Sequence, residues 1–346
     1  MILFADFFGS VKERGIAAYV RDLEALAAPM ADTVMLRAPG WVARLSPGVQ
    51  NLLLVLHEQI VVPAYALWRR PDLIVYPYNA SSFVLALSDR TVCVVHDLIP
   101  YQAKTRRSGF ALAYVACTAR WHALLGRRLV AVSPFTKRSM RALPWFRKRP
   151  ILVIPNSFAS LREVRAAEGP PAHRRVTLIS GSGPNKAFAQ AIALMAAAAA
   201  DPRFSGVGFD VVGFGDDHAE AEATIAAARA RGLTLPDVTV HPLLPRATLD
   251  RMIADNAAMW AHSLAEGFGR AVVEGRMAGR PVVMSRLPVF RPLADPFTLA
   301  YHNEDSAEFC AALADALAAA AEPRPYRIVD DLRAEATAGL KELLDR

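Results

Sequence analysis

The chain has 346 residues, of which 53% are hydrophobic and 21% are charged, and its formal net charge is +7. This length exceeds what one ordinary core supports and indicates two domains. The apolar content excludes an extended disordered protein. The three cysteines, Cys93, Cys117 and Cys310, lack the C-x-x-C spacing of metal or redox sites. We expect buried thiols in a reducing cytoplasm.

Short apolar runs alternate with helical patterns along the chain, which is typical of an α/β protein with parallel sheets. The predicted strands of the first half are Met1–Asp6, Thr33–Arg37, Leu73–Tyr76, Thr91–His96, Arg128–Val132 and Ile151–Ile154. They predict one Rossmann-like domain over residues 1–160.

Two apolar stretches of this first half, 51–68 and 109–126, are long enough to be considered as membrane spans. Residues 57–59 (His-Glu-Gln) interrupt the first stretch, and Arg120 and His122 interrupt the second. Neither stretch is therefore predicted to cross a bilayer, and a soluble, cytoplasmic protein is expected.

Two basic clusters add to the positive charge of this half. Lys104, Arg106 and Arg107 form one cluster, and residues 147–149 (Arg-Lys-Arg) form the other, directly after residues 145–146 (Trp-Phe). Basic residues beside aromatic ones are typical of contact with anionic lipid headgroups and equally of an ordinary solvated face. No nucleic-acid-binding motif accompanies the charge, so peripheral contact with the inner face of the cytoplasmic membrane is the only partner surface it predicts.

The second half repeats the α/β pattern after a predicted linker at 162–174. Its predicted strands are Val176–Ser180, Phe209–Gly213, Val238–His241, Ala258–His262 and Pro281–Met284. They predict a second Rossmann-like domain over 172–325, followed by an amphipathic helix over 326–346. Ligands of such sheets bind beyond the carboxyl ends of the strands, so the loops there carry most weight.

Residues 265–274, with the sequence AEGFGRAVVE, are the most informative segment. Glu266 is predicted on a strand-to-helix loop and Glu274 one to two turns into the helix. Glycine lets a ligand approach the backbone closely, and a helix N-terminus favours an anion. A carboxylate beside such a phosphate site is suited to accept hydrogen bonds from sugar hydroxyls. The segment therefore predicts a site for a nucleotide sugar.

A second glycine turn, residues 180–186 (SGSGPNK), joins a predicted strand to a predicted helix. Its N–H groups around Ser182 and the mobile cation of Lys186 suit a diphosphate. Gly213, in a lone G-x-G after the next strand, fits either nucleotide contact or a tight turn.

Together these motifs resemble family 4 glycosyltransferases, that is, the glycosyl transferases of group 1, over residues 1–320. The motifs that carry the resemblance, in family order, are Gly15-Ile16, His96–Pro100, Val132–Lys137, Ile154–Asn156, Pro184–Lys186, Glu266–Glu274 and Met277–Val283. The resemblance implies a GT-B fold, with two facing Rossmann-like domains, a cleft between them, and a C-terminal helix that crosses back to the first domain.

The resemblance also implies roles for individual residues. Glu274 would bind the ribose 2′- and 3′-hydroxyls of the donor, and Glu266 would lie near the transferred sugar. His96 would contact the reacting sugar or the acceptor, so Glu266 and His96 are the candidate catalytic residues. The remaining donor-binding candidates are Lys186, Gly267, Phe268, Gly269, Gly15, Arg270, Gly213 and Ser182. The family usually has an arginine before the lysine; Asn185 stands there in this chain, and Arg270 is the candidate replacement cation.

The implied activity is retaining hexosyl transfer from a nucleoside-diphosphate sugar to a saccharide or lipid-linked saccharide, in bacterial cell-surface polysaccharide synthesis. The GT-B fold normally works without a bound metal, and no D-x-D element argues otherwise, so neither metal nor cofactor is expected. Two alternatives stay open: a sugar-nucleotide epimerase of the same fold, and a non-catalytic nucleotide-sugar-binding protein.

Overall fold

The computed structural model describes residues 1–10, 15–98, 110–125, 127–161, 167, 169–214 and 218–345. Contacts divide the chain into two compact units, Met1–Arg162 with Val329–Arg346, and Glu163–Ile328. Each unit contains a six-stranded sheet, and all strand pairs in both sheets are parallel. The predicted α/β class with two Rossmann-like units is confirmed.

The first unit is a parallel sheet covered by helices. Its strands are β1 (Ile2–Asp6), β2 (Thr33–Arg37), β3 (Leu73–Tyr76), β4 (Thr91–Val95), β5 (Arg128–Ala131) and β6 (Ile151–Val153). Its helices are α1 (Gly15–Ala27), α2 (Pro47–Leu56), α3 (Val62–Arg69), α4 (Phe110–Leu124), α5 (Pro134–Ala142) and α11 (Ile328–Asp345), with a π-helical turn at His57–Val61.

Strand β4 shows the composition that is typical of a sheet buried on both faces. Its sequence, TVCVV, is rich in β-branched residues and every one of its positions is buried, as expected of a parallel strand under helices. The strand order is β2-β1-β3-β4-β5-β6. The order in which successive strands are added reverses between β1 and β3, which is the position where sheets of this kind bind ligands.

The last helix, α11, belongs to the first unit. Its buried residues Val329, Leu332, Ala336, Gly339, Leu340 and Leu343 recur at helical spacing. A Cβ atom on Gly339 would lie 2.7 Å from the carbonyl oxygen of Val153, so only glycine permits this approach to β6. Arg128 also donates from Nη1 to the carbonyl oxygen of Leu343 at 3.0 Å.

The second unit has the strand order β12-β11-β10-β7-β8-β9, which is the Rossmann order with its reversal between β7 and β10. Its strands are β7 (His173–Ile179), β8 (Gly208–Val212), β9 (Asp237–Val240), β10 (Asn256–Ala261), β11 (Val282–Ser285) and β12 (Thr298–Tyr301). Its helices are α6 (Phe188–Ala199), α7 (Ala219–Ala230), α8 (Arg246–Asp255), α9 (Arg270–Met277) and α10 (Ser306–Ala319).

Several sequence predictions need correction. Strand β12 was not predicted, and β7 begins at His173, inside the predicted linker. Cys117 is exposed on α4 rather than buried. One helical stretch, Gly48–Arg69, is long and apolar enough to cross a membrane by length and composition alone, so the interpretation of residues 51–68 as non-spanning stays a prediction. The predicted basic cluster of residues 104–107 lies outside the described residues.

Candidate functional site

The loops that follow β7 and β10 are joined at the reversal point of the second sheet. Asn185 connects them through both its side chain and its backbone. Its Nδ2 donates to the carbonyl oxygen of Ala265 at 3.1 Å, while its own carbonyl accepts from the backbone N–H of Leu264 at 2.6 Å and from Ser263 Oγ at 2.8 Å. The residue that departs from the family pattern is therefore the connection between the two predicted donor loops.

Lys186 and Glu266, one from each loop, form an ion pair. The Nζ atom of Lys186 donates to Oε1 of Glu266 at 2.5 Å. Their side chains are 25% and 20% exposed, so both remain accessible from solvent. The structure thus brings together the predicted phosphate cation and the predicted sugar carboxylate.

The buried base beneath this pair is a neutral histidine. His262 directly follows β10 and is 1% exposed, and its Nδ1 lies 2.6 Å from the hydroxyl of Tyr301. Burial, together with the positive charge of Lys186, lowers the pKa of His262 to about 4. The floor of the site is therefore uncharged at neutral pH, and Glu266 is the acidic partner that the structure gives Lys186.

Backbone packing at the ends of β7 and β8 requires glycine. Gly213 has φ = 116°, and a Cβ atom there would lie 2.1 Å from the carbonyl oxygen of Ser180. A Cβ atom on Gly181 would in turn lie 3.2 Å from the carbonyl of Gly213. The two turns touch backbone to backbone, with Ser182 exposed beside them. This leaves peptide groups, rather than side chains, at the end of the two strands.

The glycine motif between the two glutamates shapes the start of α9. Gly269 has φ = 113°, and a Cβ atom there would lie 2.6 Å from the ring of Phe290. Gly267, Phe268 and Gly269 are all buried, so Phe268 contributes to packing. The helix N-terminus that these residues form has the polarity that favours an anion.

Glu274 lies one turn into α9, as predicted, and is held by two arginines. Nη1 of Arg246 donates to Oε2 of Glu274 at 2.9 Å, and Nε of Arg270 lies 3.4 Å from Oε1. Arg246 also donates from Nη2 to Oδ1 of Asp250 at 2.5 Å. Burial acts to lower the pKa of Arg246, but Glu274 and Asp250 outweigh it and the pKa is raised. Glu274 itself is 8% exposed.

The sequence interpretation missed Arg246. The only sequence feature that could have indicated it is its position: Arg246 is the first residue of α8, directly after the loop that follows β9. Arg270, by contrast, was predicted as a phosphate cation, and the structure places its Nε against Glu274. A carboxylate oxygen that is already bound to arginine can still accept a hydrogen bond from a ribose hydroxyl, because each carboxylate oxygen accepts two hydrogen bonds.

The remaining predicted residues, His96 and Gly15, lie in the first unit. The Nε2 atom of His96 is 2.8 Å from the carbonyl oxygen of Pro77, so Nε2 carries the proton. The ring meets Tyr19 edge-on at 5.0 Å, and the backbone N–H of His96 donates to Oδ1 of Asn79 at 2.6 Å. His96 is 9% exposed, whereas Gly15, at the start of α1, is exposed.

One other polar residue of the first unit has a structural task. Ser133 is the N-cap of α5, because its Oγ accepts from the backbone N–H of Thr136 at 3.0 Å.

Among the described residues, no group of three or more His, Cys, Asp or Glu side chains is arranged to hold a metal ion.

A family model matches part of the second unit. Residues 174–319 match the family model "Glycosyl transferases group 1". No curated protein matches the sequence.

Solved structures resemble the whole chain at low sequence identity. Sucrose-phosphate synthase from Thermosynechococcus elongatus is 17% identical with a TM-score of 0.70, covering 99% of this chain and 94% of that one. Anabaena HepE in complex with UDP-glucose is 18% identical with a TM-score of 0.60, covering 99% of each chain. WaaG, a glycosyltransferase of lipopolysaccharide biosynthesis, is 14% identical with a TM-score of 0.59, covering 100% of this chain and 95% of that one.

The structural likeness extends over both units, and the family match lies in the unit that carries Lys186, Glu266 and Glu274. The expected fold is therefore confirmed: this chain has the GT-B glycosyltransferase fold, and its residues 174–319 match the family model of glycosyl transferases group 1.

Proposed function

We propose that the protein is a retaining glycosyltransferase that moves a hexosyl group from a nucleoside-diphosphate sugar to a saccharide or lipid-linked saccharide. The observation that carries this proposal is a pair of carboxylates that are each held by a cation: Glu266 by Lys186 on the strand-to-helix loops of the second unit, and Glu274 in α9 by Arg246 at the start of α8. Retention at the anomeric carbon and a role in cell-surface polysaccharide synthesis rest on the family resemblance.

In this proposal the donor diphosphate lies at the glycine turn after β7 and the N-terminus of α9. Negative charge builds up on the departing diphosphate during transfer. The backbone N–H groups of these two turns are positioned beforehand and stabilise that charge together with Lys186. Lys186 would exchange its internal partner Glu266 for the phosphate oxygens, which frees the carboxylate for the hydroxyls of the transferred sugar.

The nucleoside is proposed to be held through Glu274. Arg246 and Arg270 keep this buried carboxylate in one orientation, and its remaining lone pairs would accept from the ribose 2′- and 3′-hydroxyls. We propose UDP as the nucleotide, since HepE was solved with UDP-glucose and the pneumococcal O-GlcNAc transferase GtfA with UDP and GlcNAc. No resident metal or cofactor is part of the proposal.

His96 is proposed to act on the sugar or acceptor side. Its Nε2–H donates to the carbonyl oxygen of Pro77, and this hydrogen bond holds the ring in one orientation. This arrangement suits orientation of a hydroxyl better than proton donation. The reaction is proposed to take place at the inner face of the cytoplasmic membrane.

Calorimetry with UDP, GDP and dTDP tests nucleotide binding, and UDP release from UDP-glucose with and without acceptor tests transfer. The proposal predicts UDP binding, and UDP release that accelerates only when a saccharide acceptor is added. Conversion of the donor to an epimer without acceptor would favour the epimerase instead. Tight UDP binding with no turnover over a broad acceptor panel would favour a non-catalytic binder.

A further inference from the structure

The helical stretch from Pro47 to Arg69 exposes apolar side chains to solvent and buries its carboxylate. The solvent-exposed side chains on α2, the π-helical turn and α3, up to Trp68, form what we name the apolar stripe: Val49, Leu52, Leu56, Ile60, Val61, Ala64, Leu67 and Trp68. The one carboxylate of this stretch, Glu58, is 0% exposed. A surface helix of an ordinary globular protein has the opposite arrangement, with its polar face outward.

The inner face holds the stretch flat along the sheet of the first unit. Val62 and Ala66 pack on Leu3 and other side chains of β1 and β3. The buried Glu58 accepts a hydrogen bond at Oε2 from the hydroxyl of Tyr114 at 2.7 Å. The stretch is long and apolar enough to span a bilayer, yet 33% of its apolar window is buried in the protein. These contacts are those of a helix that lies along the surface of the first unit.

The apolar stripe continues onto neighbouring elements. Oε1 of Gln59 accepts from the backbone N–H of Phe83 at 2.9 Å, and the ring of Phe83 contacts Trp121 at 6.2 Å. This joins the stripe to five further exposed apolar residues: Phe83, Val84, Leu87, Trp121 and Leu124. Of the sixteen large hydrophobic side chains that are exposed among the described residues, thirteen lie in the first unit. A continuous patch of this kind marks an interaction surface.

Basic residues border the patch. The guanidinium of Arg69 lies 5.2 Å from the ring centre of Trp68, and Arg149 donates to the carbonyl oxygen of Leu124 at 3.0 Å. In sequence, residues 98–162 contain thirteen lysines and arginines and no aspartate or glutamate, so this segment accounts for the positive net charge of the whole chain. Arg69 and Arg149 therefore place positive charge at the edge of the patch.

We propose that the apolar stripe and its basic border dock on an anionic lipid bilayer, with the stripe lying in the interface. Apolar side chains facing outward and cations at their edge are the two contributions that interfacial binding requires. A second copy of the chain is the poorer occupant, because a two-fold contact would set the basic border of one copy against that of the other. The docking surface is independent of the donor site in the second unit.

Sedimentation with phosphatidylglycerol vesicles and with phosphatidylcholine vesicles tests the proposal. The wild-type protein is expected to bind the anionic vesicles at least tenfold more tightly, and 0.5 M NaCl should weaken this binding. The variant Ile60→Glu/Leu67→Glu is expected to lose at least tenfold in vesicle binding. Its matched control, Leu233→Glu/Leu243→Glu, changes two exposed leucines of the second unit and should stay within twofold of wild type.

Two further measurements make the outcome decisive. UDP affinity and circular dichroism confirm that each variant is folded, so a loss of vesicle binding is a surface effect. Brominated lipids should quench the tryptophan fluorescence of wild type more than that of Trp68→Phe. Equal vesicle binding by Ile60→Glu/Leu67→Glu and wild type would overturn the proposal. A wild-type dimer that this variant splits into monomers, without any vesicle binding, would overturn it as well.

Discussion

The Nζ atom of Lys186 donates to Oε1 of Glu266 at 2.5 Å, so the two residues proposed for the diphosphate and the sugar neutralise each other before any donor binds. They come from the loops after β7 and β10, at the reversal of the second sheet. The carboxylate of Glu266 keeps the side chain of Lys186 ordered. The same pair means that donor binding exchanges one ion pair for another, and this exchange can be measured.

Lys186→Ala should weaken UDP binding by about 10- to 100-fold, the range expected for lost charge-assisted hydrogen bonds. Glu266→Gln removes the internal partner of Lys186 without removing the cation. UDP affinity should therefore be unchanged or higher in Glu266→Gln, while transfer from UDP-glucose falls. Calorimetry with UDP and an assay of UDP release give the two readouts. A loss of UDP affinity in Glu266→Gln equal to that in Lys186→Ala would contradict these separate roles.

Glu274→Ala should lose UDP binding specifically through the ribose. Wild type is expected to bind 2′-deoxy-UDP about tenfold more weakly than UDP, since a hydrogen bond to a charged group is lost. The variant should bind both nucleotides equally and weakly, because the group that distinguishes them is gone. Glu220→Ala, which removes an exposed carboxylate from α7, is the matched control and should behave as wild type. Continued discrimination by Glu274→Ala would place the ribose elsewhere.

Gly213→Ala should destabilise the second unit more than an ordinary glycine substitution does. The substitution combines φ = 116° with a Cβ atom 2.1 Å from the carbonyl oxygen of Ser180. Gly206→Ala is the control, because Gly206 has φ = 75° but nothing within 4 Å of the added Cβ. We expect a cost of about 1 kcal/mol for Gly206→Ala and at least about 3 kcal/mol for Gly213→Ala. Urea unfolding of both variants checks this; equal costs would refute the backbone contact.

Much of the fold could be predicted because strands buried on both faces have strong patterns. The run TVCVV of β4 is such a case, and eleven of the twelve strands were predicted within a few residues. Strand β12, a four-residue edge strand that is half-buried at three of its positions, was missed. The four-residue edge strand β9 was predicted, so length and edge position alone do not explain the difference.

The site was predicted in its residues but not in its pairings. Lys186 and Glu266 are eighty positions apart, and no local pattern indicates that they meet. Arg246 was missed for the same reason, since its contact with Glu274 depends on how α8 and α9 pack. Asn185 appeared as a defect of the family pattern, whereas the structure gives it the connection between the two loops.

Glu58, the buried carboxylate under the apolar stripe, should make the stability of the first unit depend on pH. Burial raises its pKa to about 7, although the hydrogen bond from Tyr114 opposes the shift. The folded protein therefore holds a proton on Glu58 more tightly than the unfolded chain does. The resulting stabilisation is fully present below pH 4.5 and is lost as the pH rises through about 7, and it amounts to about 3 kcal/mol.

Glu58→Gln isolates this contribution, because the variant keeps the shape and the acceptor for Tyr114 but cannot ionise. Relative to wild type, its free energy of unfolding should rise by about 3 kcal/mol between pH 4.5 and pH 8. His57, whose pKa burial lowers to about 4, also titrates over part of this interval, but its effect is common to both proteins and cancels in the difference. Glu220→Gln serves as the exposed control and should show no such change. If the difference between wild type and Glu58→Gln stayed flat from pH 4.5 to pH 8, Glu58 would be solvated in solution. The buried carboxyl group that distinguishes this stretch from an ordinary surface helix would then be absent.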